Sequence, residues 1–117
     1  MNILFILNDA PGVERSMSAL RLACALSMRS SIYVRIFLLG AAAACALRDR
    51  DGRGHPGDAA TLVHAVILRG GDVRVCGPSL GQEGACAPPG ELLEGAVSSS
   101  LEELARWIPE ADRLLVF

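Results

Sequence analysis

Short apolar runs alternate along this chain with stretches in which apolar positions return every three or four residues. Asn2 to Leu7 is an apolar run that stops at Asn8-Asp9-Ala10-Pro11-Gly12, as a strand buried on both faces does where it meets a loop. From Glu14 to about Met28, Met17, Leu20, Ala23, Cys24 and Ser27 recur at helical spacing against polar Arg15, Ser18 and Arg21, which predicts an amphipathic helix. Tyr33 to Leu39 reads as a second strand, ended by Gly40. The Ala-rich run Ala41 to Leu47 predicts a short helix able to pack closely against a neighbour.

Arg48 to Gly57, charged and rich in Gly, reads as an exposed loop. Asp58 can cap a helix to Arg69, with Leu62, Ala65, Val66 and Arg69 on one face and Gly70-Gly71 as its stop. Val73 to Cys76 is a short third strand cut off by Gly77-Pro78, and the Gly- and Pro-bearing stretch Ser79 to Gly90 predicts irregular backbone. A brief strand near Ala96-Val97 leads to Ser100, which with Glu103 forms a capping box for a helix over Leu101 to Ile108. Arg113 to Phe117 closes the chain as an apolar last strand.

Strands alternating with helices imply a mainly parallel sheet covered on both faces, with the site among the loops at the strands' carboxyl ends. Those loops are Asn8 to Gly12, Gly40 to Ala44 and Cys76 to Gly81, so Asn8, Asp9, Pro11, Gly12, Gly40, Gly77, Pro78 and Ser79 are the expected pocket-lining residues. A chain of 117 residues supports one core, and residues 1–117 are read as a single domain. Apolar residues make up 51% but aromatics only 4%, so Ala, Leu, Val and Ile must fill that core, and the surplus of small apolar residues points toward a subunit interface.

The net charge of -2 is spread without any basic run, which argues against nucleic acid or anionic membrane as a partner. The chain has no Lys, which excludes Schiff-base chemistry and a Lys-bearing phosphate loop. Ile3 to Leu7 lacks the basic leader, length and cleavage site of a signal peptide, so a cytoplasmic location with reduced thiols is expected. Cys24, Cys45, Cys76 and Cys86 form no CxxC or CxxH pair, so neither a zinc site nor any other metal or cofactor is expected. Asn8 to Gly12 lacks the Gly-x-Gly-x-x-Gly of dinucleotide binding, and no Gly-x-Ser-x-Gly elbow is present.

Cys76 is the candidate reactive residue, because the last position of a buried strand can point a sulfur into the crevice, and a thiolate attacks persulfides and disulfides. Cys24 lies in the apolar run Leu22 to Leu26 and reads as a packed thiol. Cys45, near the same sheet edge, and Cys86, in the loop after Cys76, are accessory candidates. His55 and His64 have no sequence partner that would make either a general base or a ligand.

The opening Ile3 to Gly12, the helix Ser18 to Ala23, and above all Leu93 to Ala96, Leu101 to Trp107 and Ala111 to Phe117 resemble the DsrE/DsrF-like family, in particular its YchN-like branch, over essentially the whole chain. The resemblance implies a three-layer α/β/α sandwich with a five-stranded, mainly parallel sheet, a homotrimer or homohexamer, and a role in sulfur relay. It also implies that Cys76 matches the family's sulfur-accepting cysteine after the third strand and that Cys45 matches a position often occupied by cysteine. Many relatives carry a second cysteine three residues beyond the first, where this chain has Ser79, so a local dithiol cycle is not available to it.

The expectation is therefore a sulfur-relay protein that accepts sulfane sulfur as a persulfide on Cys76 and exchanges it with donor or acceptor proteins, a carrier or sulfurtransferase. A small-anion or nucleotide binding module in which Cys76 merely lines the pocket is the alternative. A third reading is an oligomeric scaffold without chemistry.

Overall fold

The computed structural model describes residues 1–48, 58–79 and 91–117. Of the loops expected over Arg48 to Gly57 and Ser79 to Gly90, residues 49–57 and 80–90, with His55 and Cys86, lie outside the described residues. Five strands form one parallel sheet: β1 (Asn2–Leu7), β2 (Tyr33–Leu38), β3 (Asp72–Cys76), β4 (Ala96–Ser99) and β5 (Arg113–Val116). Their spatial order is β4-β3-β2-β1-β5, so the chain builds outward from β1 to one edge and then crosses to place β5 against the other side of β1. Helices α1 (Glu14–Ser27) and α2 (Ala59–Leu68) cover one face, and α3 (Leu101–Glu110) covers the other. This is the three-layer α/β/α sandwich that the alternating pattern predicts.

Side-chain alternation along the strands sorts the core into two clusters. Ile3, Phe5, Leu7, Val34, Ile36, Leu38, Val73 and Val75 face α1 and α2. Leu4, Ile6, Phe37 and Cys76 face α3, where Leu104 and Trp107 close over them. The first face is built with Ala19, Ala23, Ala42, Ala43, Ala46 and Ala59, whose small side chains let backbone approach the sheet closely. That is how a chain so poor in aromatic residues still fills its interior.

The short helix expected of the Ala-rich segment is present as a 3₁₀ helix, Gly40–Ala46. In that tighter form residues three apart eclipse, which stacks Ala42 with Cys45 and Ala43 with Ala46 on the buried side. On α2 the fully inward face is Ala59, Val63 and Val66 rather than the stripe through Leu62 and Ala65. Leu62 is turned partly toward α1, where its carbonyl accepts from the Cys24 thiol at 3.6 Å.

At the end of α1, Arg69 donates to the Cys24 carbonyl at 3.1 Å and to Ser27 Oγ at 3.3 Å, placing a cation against a helix C-terminus. The expected cap at Ser100 is present: its Oγ accepts from the Glu103 amide at 3.3 Å. The Glu103 carboxylate turns instead toward Arg74, at 3.3 Å. Among the described residues, no helix is long and apolar enough to cross a membrane.

Candidate functional site around Cys76

β3 has the sequence Asp72-Val73-Arg74-Val75-Cys76, and its alternation decides where the sulfur goes. Val73 and Val75 enter the larger core, so Arg74 and Cys76 point to the α3 side. Cys76 is the final residue of the strand and retains 8% exposure, so it is neither sealed in the interior nor displayed on the surface. Its apolar neighbours are Leu4, Ile6, Phe37, Leu104 and Trp107. A short 3₁₀ turn, Gly77–Ser79, follows at once.

Gly77 is needed here for space. A Cβ at this position would lie 3.0 Å from Ser98 Oγ and 3.3 Å from the Ser99 carbonyl oxygen, so glycine lets the chain leave β3 close to β4 without displacing either. β4 is thereby held in register with Cys76 directly beside Ser99. Register partners in a parallel pair share a face, so the Ser99 side chain lies next to Cys76 on the α3 side. Ser99 Oγ is buried, with less than 1 Å² exposed, and has no hydrogen-bond partner.

The rest of this face is charged but balanced. The Trp107 ring meets Phe37 edge-on at a centroid distance of 5.9 Å. The Arg35 and Arg74 guanidinium carbons lie 4.7 Å and 5.6 Å from the Trp107 centroid. Arg35 is paired with Glu110 at 3.0 Å, and Arg74 with Asp72 at 3.0 Å as well as with Glu103. Both cations near the site are thus occupied by carboxylates.

The other thiols are placed differently. Cys45 is completely buried on the α1/α2 side of the sheet, where desolvation pushes its thiol up to about 12. A thiol there stays protonated at neutral pH, and it packs on the opposite face of the sheet from Cys76. Cys24 is half-buried between α1 and α2. His64 is exposed on α2. Among the described residues, no group of three His, Cys, Asp or Glu is disposed to hold a metal ion.

The residues expected to share one crevice are divided between the two faces of the sheet. Pro11 and Gly12 line a pocket of about 380 Å³ together with Met17, Ala44, Leu47 and the start of α2 at Asp58. These walls belong to the α1/α2 side, whereas Cys76, Gly77 and Ser99 belong to the β3–β4 end on the α3 side. Asn8 is taken up in structure, its side-chain amide donating to the Phe117 carbonyl at 3.0 Å. The Asp9 carbonyl accepts from Ser16 Oγ at 2.6 Å, and Gly40 begins the first 3₁₀ helix. Pro78 is exposed immediately beyond Gly77.

The model of the DsrE/DsrF-like family matches residues 1–117. The chain belongs to the DsrE/DsrF-like family. It is 32% identical over 118 residues to the uncharacterized protein MJ0989 of Methanocaldococcus jannaschii, covering all of both chains. It is 30% identical to protein YchN of Escherichia coli K12, over 98% of this chain and 97% of that one. The crystal structure of YchN from E. coli has the same fold, with a TM-score of 0.79 at 28% identity over 100% of this chain and 99% of that chain. The DsrE/DsrF-like family is linked to sulfur relay.

Ser99 escaped the sequence reading because it was visible only as the middle of Ser98-Ser99-Ser100, before a helix cap. Its strand neighbour is separated from it by 23 positions in the chain, and only the register brings the two together.

Proposed function

We propose that this protein is a sulfur-relay carrier in which Cys76 accepts and passes on sulfane sulfur as a persulfide. The observation that supports this is the position of Cys76: last in its strand, on the α3 face, buried but for 8% exposure, and in register beside Ser99, whose hydroxyl makes no hydrogen bond. In the step itself the Cys76 thiolate attacks the outer sulfur of a donor persulfide, R–S–SH. The Cys76 S–S bond forms, the donor S–S bond breaks, and its electron pair leaves on the donor sulfur as R–S⁻. The moving sulfur keeps its proton, and nothing is oxidised or reduced overall. Transfer to an acceptor thiolate is the same step with Cys76 as the leaving group.

Leu104, in the first turn of α3, packs in the same cluster as Cys76, so the N-terminal end of the helix stands over this end of the sheet. The partial positive charge of a helix N-terminus suits the anionic form of a persulfide, and Glu102 and Glu103 in the first turn offset part of it. With Ser79 three residues on, the carrier works with a single thiol and not through a local disulfide. The binding-module reading draws on the pocket at Pro11 and Gly12, but among the described lining residues the ionisable one is acidic Asp58, which suits an anion or nucleotide poorly. We further propose that copies of the chain assemble as a homotrimer or homohexamer. Ile108 of α3 and Leu114 and Val116 of β5, between 41% and 62% exposed, supply apolar surface for such a contact.

Incubation with polysulfide or a persulfidated donor protein, followed by intact-mass spectrometry, tests the carrier. The expected result is an added mass of about 32 Da, one sulfur atom, that is absent from Cys76→Ser. An adduct of equal yield in that variant refutes the assignment to Cys76.

A further inference from the structure

A buried hydroxyl without a partner is costly, and native structures retain few of them. Ser99 carries one on the strand position directly beside Cys76, at the point where Gly77 brings β3 and β4 together. Among the described residues no group, Cys76 included, takes it up. Arg35 and Arg74 on this face are ion-paired with Glu110, Asp72 and Glu103, and their Nε atoms are, like Ser99 Oγ, buried without a hydrogen-bond partner.

We propose that Ser99 is the positioning residue for the reactive sulfur: its Oγ–H is held unspent in the resting protein and donates to Cys76 once that residue is a thiolate or a persulfide anion. The inference rests on the reading of Cys76 as the sulfur acceptor and adds the group that stabilises its charged states. A hydrogen bond to a charged acceptor is stronger than one to a neutral thiol, so the donor discriminates between the two forms of Cys76. The backbone arrangement serves the same end. Cys76 and Ser99 are fixed side by side in register by the sheet ladder.

The test uses the full chain with Ser99→Ala and Ser99→Thr. Iodoacetamide labelling of Cys76 is followed by mass spectrometry from pH 6 to pH 10, alongside the lifetime of the persulfide formed with polysulfide. Ser99→Ala should label about tenfold more slowly at neutral pH, converge with the parent in alkali, and lose its persulfide several-fold faster, on the order expected for one charged hydrogen bond. Ser99→Thr keeps the hydroxyl and should stay within about twofold of the parent. Superimposable profiles for Ser99→Ala and the parent overturn the assignment, as does a Thr variant as slow as the Ala variant. A urea midpoint clearly lowered in Ser99→Ala also overturns it, because the hydroxyl would then be bonded in the resting fold. The two proposals separate cleanly. If the parent takes up no sulfur but Ser99→Ala still slows labelling, Ser99 stands as a thiolate donor and the carrier falls. If the parent loads normally and the labelling profiles coincide, the carrier stands and Ser99 falls.

Discussion

Alkaline pH should unfold this protein through one thiol, Cys45. Its side chain is completely buried among Ala and aliphatic neighbours, and that desolvation moves it from an ordinary 9.0 up to about 12. The folded chain therefore holds this proton more tightly than the unfolded chain does. Stability is complete below about pH 9 and declines as the pH rises from there toward 12, since the unfolded state ionises first. The difference between 9.0 and about 12 corresponds to about 4 kcal/mol when fully expressed, of which about 3 kcal/mol is lost by pH 11. The assay is urea unfolding at pH 7, 9, 10 and 11 under reducing conditions, comparing the parent with Cys45→Ala. At neutral pH the variant should be weaker by about 1 kcal/mol, for the small cavity left by the sulfur. Above about pH 10 the order should reverse, because the variant has no thiol to ionise and every other titrating group is common to both proteins. A stability difference that stays constant from pH 7 to pH 11 would refute the reasoning. The same variant should take up sulfur on Cys76 as the parent does, since the two cysteines lie on opposite faces of the sheet.

Gly71→Ala should lower the urea-unfolding free energy by about 2 to 3 kcal/mol, well beyond the roughly 0.5–1 kcal/mol that Ala gains by restricting the unfolded chain. The new Cβ would lie 2.9 Å and 3.0 Å from the backbone oxygens of Val66 and Val34, neither of which can rotate away, and an unchanged midpoint would show that α2 and β2 yield freely. Val116→Asp places a charge on the outer strand β5, where Val116 is 62% exposed, and should leave the single chain folded while shifting the mass measured by light scattering to that of a monomer. A parent protein that is already monomeric at micromolar concentration would remove the proposed assembly.

The register of elements was largely legible from local pattern. The bounds of β1 and the start of α1 follow from the apolar run Asn2–Leu7 and from the helical spacing after Glu14. The cap at Ser100 could be read because capping is a contact between residues three apart. What local pattern left open was what depends on tertiary contact. The short helix expected in the Ala-rich run is there, and its 3₁₀ form was not readable from propensity. α2 turned by part of a helical step because Leu62 had α1 beside it as well as the sheet.

By itself, then, the sequence determined the alternating α/β order, the position of Cys76 at a strand end and the absence of a second cysteine near it. Each of these is a property of neighbours along the chain. Tertiary structure alone decided which face each thiol occupies, that Cys45 is fully buried while Cys76 keeps 8% exposure, and that Ser99 is the register partner of Cys76. Those facts depend on strand order and register, which are fixed by packing between distant segments and leave no local trace in the residues that carry them.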